Sequence, residues 1–306
     1  MLQRIYSPHH GHDIVIGGRR PSLVRPKLKF RDYLIGGAVG LPTPPPSITY
    51  SGKAAQALSQ MYLNNKYGCC VVAALCHGRG VTSANSGLTE AIFSDDDITK
   101  MYEEMSGGTF NPADPNSDQG CDEQTALGVA ETTGYTDGVK EAGHMSIDAT
   151  NWTEVCLALY LFEVLISGQG LPAPWIAPFP SPGAIWDVAG PSVPTNGHAV
   201  VYVGYNADKT LDTGTWGMRI KETAAALAMY ASPANGGELY VVLNPDLVDR
   251  ASQKAPNGID WSCLVADLTV IQSAAATVPA SVPSVPPITP SAPPSIPPSV
   301  PPQASS

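Results

Sequence analysis

Long hydrophobic runs and an excess of positive charge are both missing from this sequence. The longest apolar stretch, residues 156–166, is short and is interrupted by Glu163, so we expect no segment that crosses a membrane. The opening residues, MLQRIYSPHHGHD, contain no apolar core of a secretory signal, which predicts a cytoplasmic or otherwise unexported protein. The net charge of −10 argues against general nucleic-acid binding, because phosphate backbones require a basic surface.

Cysteine is also scarce, and its spacing does not suit a metal. Six cysteines in 306 residues do not make a disulfide-dense scaffold. Cys69, Cys70, Cys76 and His77 lack the C-x₂₋₄-C spacing of a structural zinc site. The segment DPNSDQG, residues 114–120, resembles half of a calcium loop, but its glycine falls one position late. We therefore predict no metal and no cofactor.

Composition divides the chain into three regions. Residues 1–47 form a basic arm that ends in a Pro-rich linker, and residues 1–32 carry a local charge of +5 against −15 for the remainder. Residues 48–272 contain nearly all of the periodic apolar sequence. Residues 273–306 are rich in proline and uncharged, which predicts an extended, disordered tail. We expect the arm to dock on the acidic body, with a separate protein partner for the arm or tail as the alternative.

Within the central region, helical patterns precede strand patterns. Helices are predicted at residues 52–63, from Cys70 onward, after the capping residue Ser94, at 122–131 and at 152–163. Strands are predicted at 198–205, 215–220, 238–244 and 263–271. Helices followed by antiparallel strands indicate an α+β fold.

The stretch NNKYGCCVVAALCHG, residues 64–78, favours a nucleophile over a metal site. A thiol at the N-terminus of a helix is stabilised as thiolate by the dipole and by unpaired N–H groups, which predicts a lowered pKa. Such a thiol needs an imidazole, and His198 stands at the start of the strand HAVVYVGY. Taken alone, Cys70 would instead be a buried structural thiol, and His77 a packing or surface residue.

Several stretches, in order, resemble segments of papain-like cysteine peptidases, and more closely a diverged bacterial and phage branch. MYLNNKYGCCVVAA resembles the nucleophile segment, QGCDEQTALGVAETTG the Gly-Cys segment, GHAVVYVGYN the histidine strand, and TWGMRI the Trp-Gly turn. The resemblance covers roughly residues 50–250. It implies a helical half that carries the cysteine helix and an antiparallel, barrel-like half that carries the histidine.

The resemblance also implies roles for individual residues. Cys70 takes the role of nucleophile, His198 that of general base and acid, and Asn64 that of the oxyanion-hole amide, with Asn65 as its neighbour. The position of the asparagine that orients the imidazole is Gly214, so Asp212, Thr213 and Thr215 are the candidates to replace it. The resemblance further suggests a disulfide between Cys69 and Cys121.

Three functions remain open from the sequence. The first is a thiol-dependent hydrolase whose substrate is a peptide or protein. The second is an inactive papain-like binding or structural protein, for example a virion-associated assembly component that uses its arm and tail. The third makes residues 1–47 an inhibitory pro-segment, although packing of the arm into the domain is favoured. The acidic residues Glu103, Glu104, Asp122 and Glu123 either line a cleft for basic substrates or, preferably, form a solvated helix face.

Overall fold

The computed structural model describes residues 2–24, 26–35 and 41–277. Most of the predicted proline-rich tail, residues 278–306, lies outside this part of the chain. The described ranges contain eight α-helices: α1 Ala55–Leu58, α2 Cys70–Asn85, α3 Asp95–Met105, α4 Glu123–Thr132, α5 Trp152–Phe162, α6 Ala224–Tyr230, α7 Pro245–Lys254 and α8 Trp261–Thr277. They also contain thirteen strands: β1 Gln3–Ser7, β2 His12–Ile16, β3 Arg19–Arg20, β4 Leu28–Lys29, β5 Ile48–Thr49, β6 Cys121–Asp122, β7 Gly143–Ser146, β8 Leu165–Gly170, β9 Ile185–Trp186, β10 Gly197–Tyr205, β11 Thr210–Thr215, β12 Met218–Thr223 and β13 Glu238–Leu243.

Local signals in the sequence place most of the helices. Helix α3 begins at a capping box in which Ser94 Oγ accepts from the Asp97 N–H and the Asp97 carboxylate accepts from the Ser94 N–H. Asp122 and Asn151 cap α4 and α5 in the same way, each accepting a backbone N–H two or three residues into the helix. These caps are readable in the sequence. The helices predicted after Ser94, at 122–131 and at 152–163 are confirmed.

Two predicted strands are wrong. Residues 263–271 lie in helix α8, whose buried residues Leu264 and Leu268 are spaced by four, while Val265 and Val270 face solvent. Burial of that stripe outweighs the β-branched composition of the segment. Residues 215–220 do not form one strand, because Trp216 and Gly217 adopt positive φ and make the tight turn between β11 and β12. Strand β8 was not predicted.

The strands form a central sheet in the order β4-β7-β13-β8-β10-β11-β12-β9, with β5 also paired to β10. Strand β10 is buried along its whole length and separates two apolar clusters. Ala199, Val201 and Val203 belong to the cluster around α2, whereas Val200 and Tyr202 belong to the cluster around α5. The fold is therefore α+β, with the N-terminus of α2 beside the start of β10.

The basic arm is part of this packed structure. Strands β1 and β2 form an antiparallel hairpin, β3 pairs with β6 in parallel, and β4 joins the edge of the central sheet beside β7. Ile14, Ile16 and Phe30 are fully buried in the apolar cluster around α5. The structure thus places residues 2–35, as far as they are described, on the body. Within the described ranges, no helix is long and apolar enough to cross a membrane.

A buried polar network stabilises the sheet behind the start of β10. Gln169 Nε2 donates to Glu222 Oε1 at 3.0 Å, and the Tyr202 hydroxyl donates to Glu222 Oε2 at 2.8 Å. Glu222 is fully buried, and burial raises the pKa of its carboxyl to about 8. The group is therefore protonated in the folded protein at neutral pH.

We predict that Glu222→Gln flattens the pH dependence of unfolding. Because the pKa is raised on folding, the native state holds a proton that the unfolded chain releases, and stability is lost as pH rises from about 4.5 towards 8. The contribution of one such group to the slope cannot exceed about 1.4 kcal/mol per pH unit. Denaturant unfolding at pH 5, 6, 7 and 8 measures it, with the exposed Glu104→Gln as control. Equal slopes for wild type and Glu222→Gln would contradict the burial argument.

Candidate active site

Cys70 is the first residue of helix α2. The first backbone bond of the helix runs from the Ala73 N–H to the Cys69 carbonyl, so the N–H groups of residues 70–72 have no partner within the helix. The preceding turn is fixed by Asp118, whose carboxylate accepts the Gly68 N–H at 3.0 Å and the Tyr102 hydroxyl at 2.6 Å. The thiol of Cys70 is therefore held at the positive end of a buried helix.

His198 is the second residue of strand β10. Its Nε2 lies 2.6 Å from Thr215 Oγ1, and its ring stacks on that of Trp216 with centroids 4.2 Å apart. The other ring nitrogen, Nδ1, is buried and has no hydrogen-bond partner. With Nε2 protonated and donating to Thr215, Nδ1 presents its lone pair as the basic nitrogen.

The helix and the strand bring Cys70 to the residues at the start of β10. The backbone of Ala199, the residue after His198, lowers the pKa of the Cys70 thiol and so favours the thiolate. Helix α2 packs directly on β10 along this face. Two segments more than 120 residues apart in sequence thus meet where the thiol lies.

Burial holds both groups in their neutral forms. Loss of solvent raises the pKa of the Cys70 thiol to about 12, although the backbone of Ala199 opposes this effect. The same loss of solvent lowers the pKa of His198 to about 3. The predicted depression of the thiol pKa is therefore wrong for this conformation, because desolvation outweighs the dipole and the N–H groups.

Among the candidate orienting residues, the structure brings Thr215 to His198 and does not bring Asp212. The Asp212 carboxylate accepts from Asn206 Nδ2 at 3.0 Å, within the β10–β11 hairpin, and Thr213 Oγ1 is directed to the Leu211 carbonyl. A Cβ at Gly214 would meet the side chains of Leu58 and Val201. Position 214 thus faces away from the imidazole, since side chains alternate along β11.

Asn64 is buried in the turn before α2. Its Nδ2 donates to the Met61 carbonyl at 2.9 Å, its Oδ1 has no partner, and its backbone carbonyl accepts the Val15 N–H from the arm. One amide hydrogen remains for another acceptor. Its role as an oxyanion donor stays a prediction.

The other cysteines and His77 have structural positions. All six cysteines are free thiols, so the suggested Cys69–Cys121 disulfide is absent. Cys69 Sγ donates instead to the Tyr62 carbonyl at 3.2 Å. His77 is buried inside α2, and its Nδ1 lies 2.8 Å from the Ala57 carbonyl. Within residues 2–24, 26–35 and 41–277, no three His, Cys, Asp or Glu side chains are grouped so that they could hold a metal ion.

A short piece of the arm, residues 17–20, lies between the turn before α2 and the start of β10. The Gly17 N–H donates to the Gly197 carbonyl at 3.1 Å, and the Gly18 carbonyl accepts the Cys121 N–H at 2.9 Å. A Cβ at Gly18 would collide with the backbone of Gly68, so only glycine lets the arm approach this closely. The neighbouring Cys70 is 3% exposed and His198 is 1% exposed.

Arg19 continues this segment into an acidic pocket that the sequence did not reveal. Its side chain is buried, with Nη2 3.2 Å from Glu238 Oε1 and Nε 3.5 Å from Glu123 Oε2. Glu123 is fully buried, so the expectation of a solvated helix face is wrong for this residue. Sequence spacing carried no signal for the cluster, because its three members come from the arm, α4 and β13.

Solved structures similar to this chain are papain-like cysteine proteases. Xylellain, a cysteine protease from Xylella fastidiosa, superimposes with a TM-score of 0.55 at 14% identity, over 75% of this chain and 96% of that one. A recombinant stem bromelain precursor gives a TM-score of 0.50 at 13% identity, over 75% and 78% of the two chains. No protein-family profile matches the sequence, and no curated protein matches it either. The fold is thus papain-like, at an identity that shows the fold alone.

We predict that Gly18→Val uncovers Cys70. The added side chain cannot fit against Gly68, so residues 17–20 must lift. In the wild type the raised pKa keeps the thiol protonated, and iodoacetamide labelling at pH 7 is slow. The variant is expected to label at least about tenfold faster, which corresponds to about 1.4 kcal/mol in the closing equilibrium.

Peptide mass spectrometry locates the label, and Gly52→Val is the matched control, because nothing lies near a Cβ at that position. Equal labelling rates for Gly18→Val and wild type would show that the arm does not limit access to the thiol.

Proposed function

From this papain-like fold, we propose that the protein is a thiol-dependent hydrolase that cleaves acyl bonds of peptides through Cys70 and His198. The observation that carries the proposal is the arrangement around His198. Its Nε2 is engaged by Thr215 Oγ1 at 2.6 Å, its ring rests on Trp216, and its Nδ1 is unpaired. An unpaired imidazole nitrogen, in the strand against which the Cys70 helix packs, supports a role as proton acceptor.

The proposed reaction begins when the arm lifts and a peptide enters. Cys70 Sγ attacks the carbonyl carbon while its proton passes to His198 Nδ1. The C–N bond then breaks, and the leaving amine takes that proton, so a thioester and a free amine result. Water, deprotonated by His198, attacks the thioester, and the thiol is regenerated with release of a carboxylic acid.

Donors for the tetrahedral intermediate are proposed at the start of α2. The backbone N–H of Cys70 has no partner within the helix, and Asn64 retains one amide hydrogen beyond its bond to Met61. Loss of one such donor typically costs about 2.7–4 kcal/mol in the transition state. Asn64→Ala should therefore reduce kcat by about a hundredfold if the amide takes this role.

A second candidate function is an inactive papain-like binding protein. The specific observation in its favour is that the thiol and the imidazole are both neutral and buried. In that case the arm would be a permanent part of the domain, and thiol chemistry would never occur. The two candidates differ in what happens once residues 17–20 are displaced.

We expect turnover of internally quenched peptides in the Gly18→Val background and its loss on changing the dyad. Cys70→Ala should abolish turnover, and His198→Ala should lower kcat by at least about a hundredfold, the usual contribution of a general acid–base group. Thr215→Val should lower kcat by about ten- to a hundredfold with little change in KM, because the imidazole loses its fixed tautomer and orientation.

The control is Cys76→Ala, which removes another fully buried thiol of the same helix. Turnover that survives Cys70→Ala would exclude the proposal. Absence of turnover with a freely labelled Cys70 would favour the binding protein.

A further inference from the structure

The pocket that receives Arg19 has the features of a recognition site for a guanidinium group. Arg19 Nη1 donates to the Gly236 carbonyl at 2.6 Å, and Nη2 lies 3.2 Å from Glu238 Oε1. On its other side, Nε lies 3.5 Å from Glu123 Oε2. Nη1 makes the hydrogen bond, whereas Nε and Nη2 approach the acidic side chains without one. Three contacts around one planar group suit the guanidinium of arginine better than the single ammonium of lysine.

The two acidic residues of the pocket differ in charge. Burial raises the pKa of Glu123 well above its usual value, so this group is a neutral carboxylic acid, and neither of its oxygens has a hydrogen-bond partner. Glu238 is partly exposed and provides the carboxylate that Arg19 Nη2 approaches at 3.2 Å. Without Arg19 this carboxylate loses its ion-pair partner, so it would attract a basic side chain that entered in its place.

Gly168 of the central sheet has no side chain, which leaves room for Arg19 on this side of the pocket. A Cβ at Gly168 would collide with Arg19 Nε and with Glu123 Oε2. Gly168 lies directly opposite Ala199 in the β8–β10 ladder, one residue from His198. The pocket is thus shaped for a long basic side chain and stands next to the residues of the dyad.

The backbone around Arg19 is bound as an extended peptide would be. Strand β3 pairs with β6, and a Cβ at Gly197 would collide with the Arg19 carbonyl, so glycine also makes room for the main chain. Ser22 then donates its N–H and its hydroxyl to Glu238 at 2.7 and 2.9 Å. An arginine with an extended main chain is therefore already accommodated at this site.

We propose that the Glu123–Glu238 pocket is the specificity site of the enzyme, which Arg19 of the arm occupies and which an arginine side chain of the substrate takes when the arm lifts. The role of the pocket in substrate recognition rests on the proposed function, but the binding of a cation in the pocket does not. Peptides with an acidic residue at the same place would be rejected by repulsion from the Glu238 carboxylate.

The first experiment tests the pocket without catalysis. Arg19→Ala in the full chain leaves the Glu238 carboxylate without its cation, and ethylguanidinium at millimolar concentration should raise the melting temperature of this variant. Ethylurea, the neutral molecule of similar shape, should have no such effect. Wild type and Arg20→Ala, which changes the exposed neighbour on the same strand, should show no such rescue.

The rescue should also disappear in Arg19→Ala/Glu238→Gln, because the strongest partner of the guanidinium is then neutral. The proposal of a cation-binding pocket would be overturned if ethylguanidinium and ethylurea shifted the melting temperature equally. It would also be overturned if ethylguanidinium shifted the melting temperatures of Arg19→Ala and Arg20→Ala equally. If Arg19→Ala fails to fold, Gly18→Val serves instead, with binding of acetyl-Gly-Arg-Gly-amide and acetyl-Gly-Leu-Gly-amide compared by calorimetry.

The second experiment tests specificity in the Gly18→Val background. Internally quenched peptides that differ only in one Arg, Leu or Glu residue should be cleaved in that order, with kcat/KM for Arg at least about tenfold above that for Leu. Glu238→Gln should reduce the ratio of kcat/KM for the Arg peptide to that for the Leu peptide to about one, because the carboxylate that distinguishes the two is neutralised.

The two experiments separate the possible failures. Selective cation binding without turnover of any peptide would reject the proposed hydrolase activity and support the cation-binding pocket. Turnover that shows no preference for Arg would retain the hydrolase and overturn the specificity site.

Discussion

The contact between the N-terminus of helix α2 and the start of strand β10 is the constraint on which the rest of the site depends. It places the Cys70 thiol against the backbone of Ala199, next to His198. Both elements are buried almost completely, α2 against β10 on one side and α3 and α4 on the other. Close packing fixes such elements within tenths of an ångström, which an exposed loop cannot do. Cys70 and His198 therefore stand on the rigid part of the molecule.

Burial changes the proton affinities of the groups at that contact. A thiol at a helix N-terminus is expected to have a lowered pKa, yet desolvation raises it to about 12. Desolvation also lowers the pKa of His198 to about 3, so proton transfer from the thiol to the imidazole is strongly unfavourable in this conformation. The reaction that we propose therefore requires a conformation in which both groups are more exposed to solvent.

Residues 17–20 of the arm are held by close backbone contacts and one charged side chain. Gly18 lets the main chain approach that of Gly68, and the Gly17 N–H donates to the Gly197 carbonyl. Arg19 adds an ion cluster, and buried ion pairs offset much of their attraction by desolvation. On either side, Ile14, Ile16 and Phe30 anchor the arm in the apolar core, so the displacement that we propose is confined to the segment between these anchors. The ion cluster links that displacement to the specificity that we propose, since arm and substrate would compete for the same pocket.

Local features of this protein follow directly from its sequence. The caps at Ser94, Asp122 and Asn151 fix helix starts, because a cap is a contact between residues two or three apart. The α+β organisation was also predictable from periodicity and family resemblance, whereas the pairing of Cys70 with His198 stays a prediction. The tertiary structure alone decided which hydroxyl meets His198, because that depends on strand register and on the turn at Trp216.

The tertiary structure also decided that residues 263–271 form a helix and that Arg19, Glu123 and Glu238 meet in one pocket. Both outcomes depend on which surfaces are buried against each other after folding. Burial, and with it the pKa of every group in the site, is a property of long-range packing that no local pattern encodes.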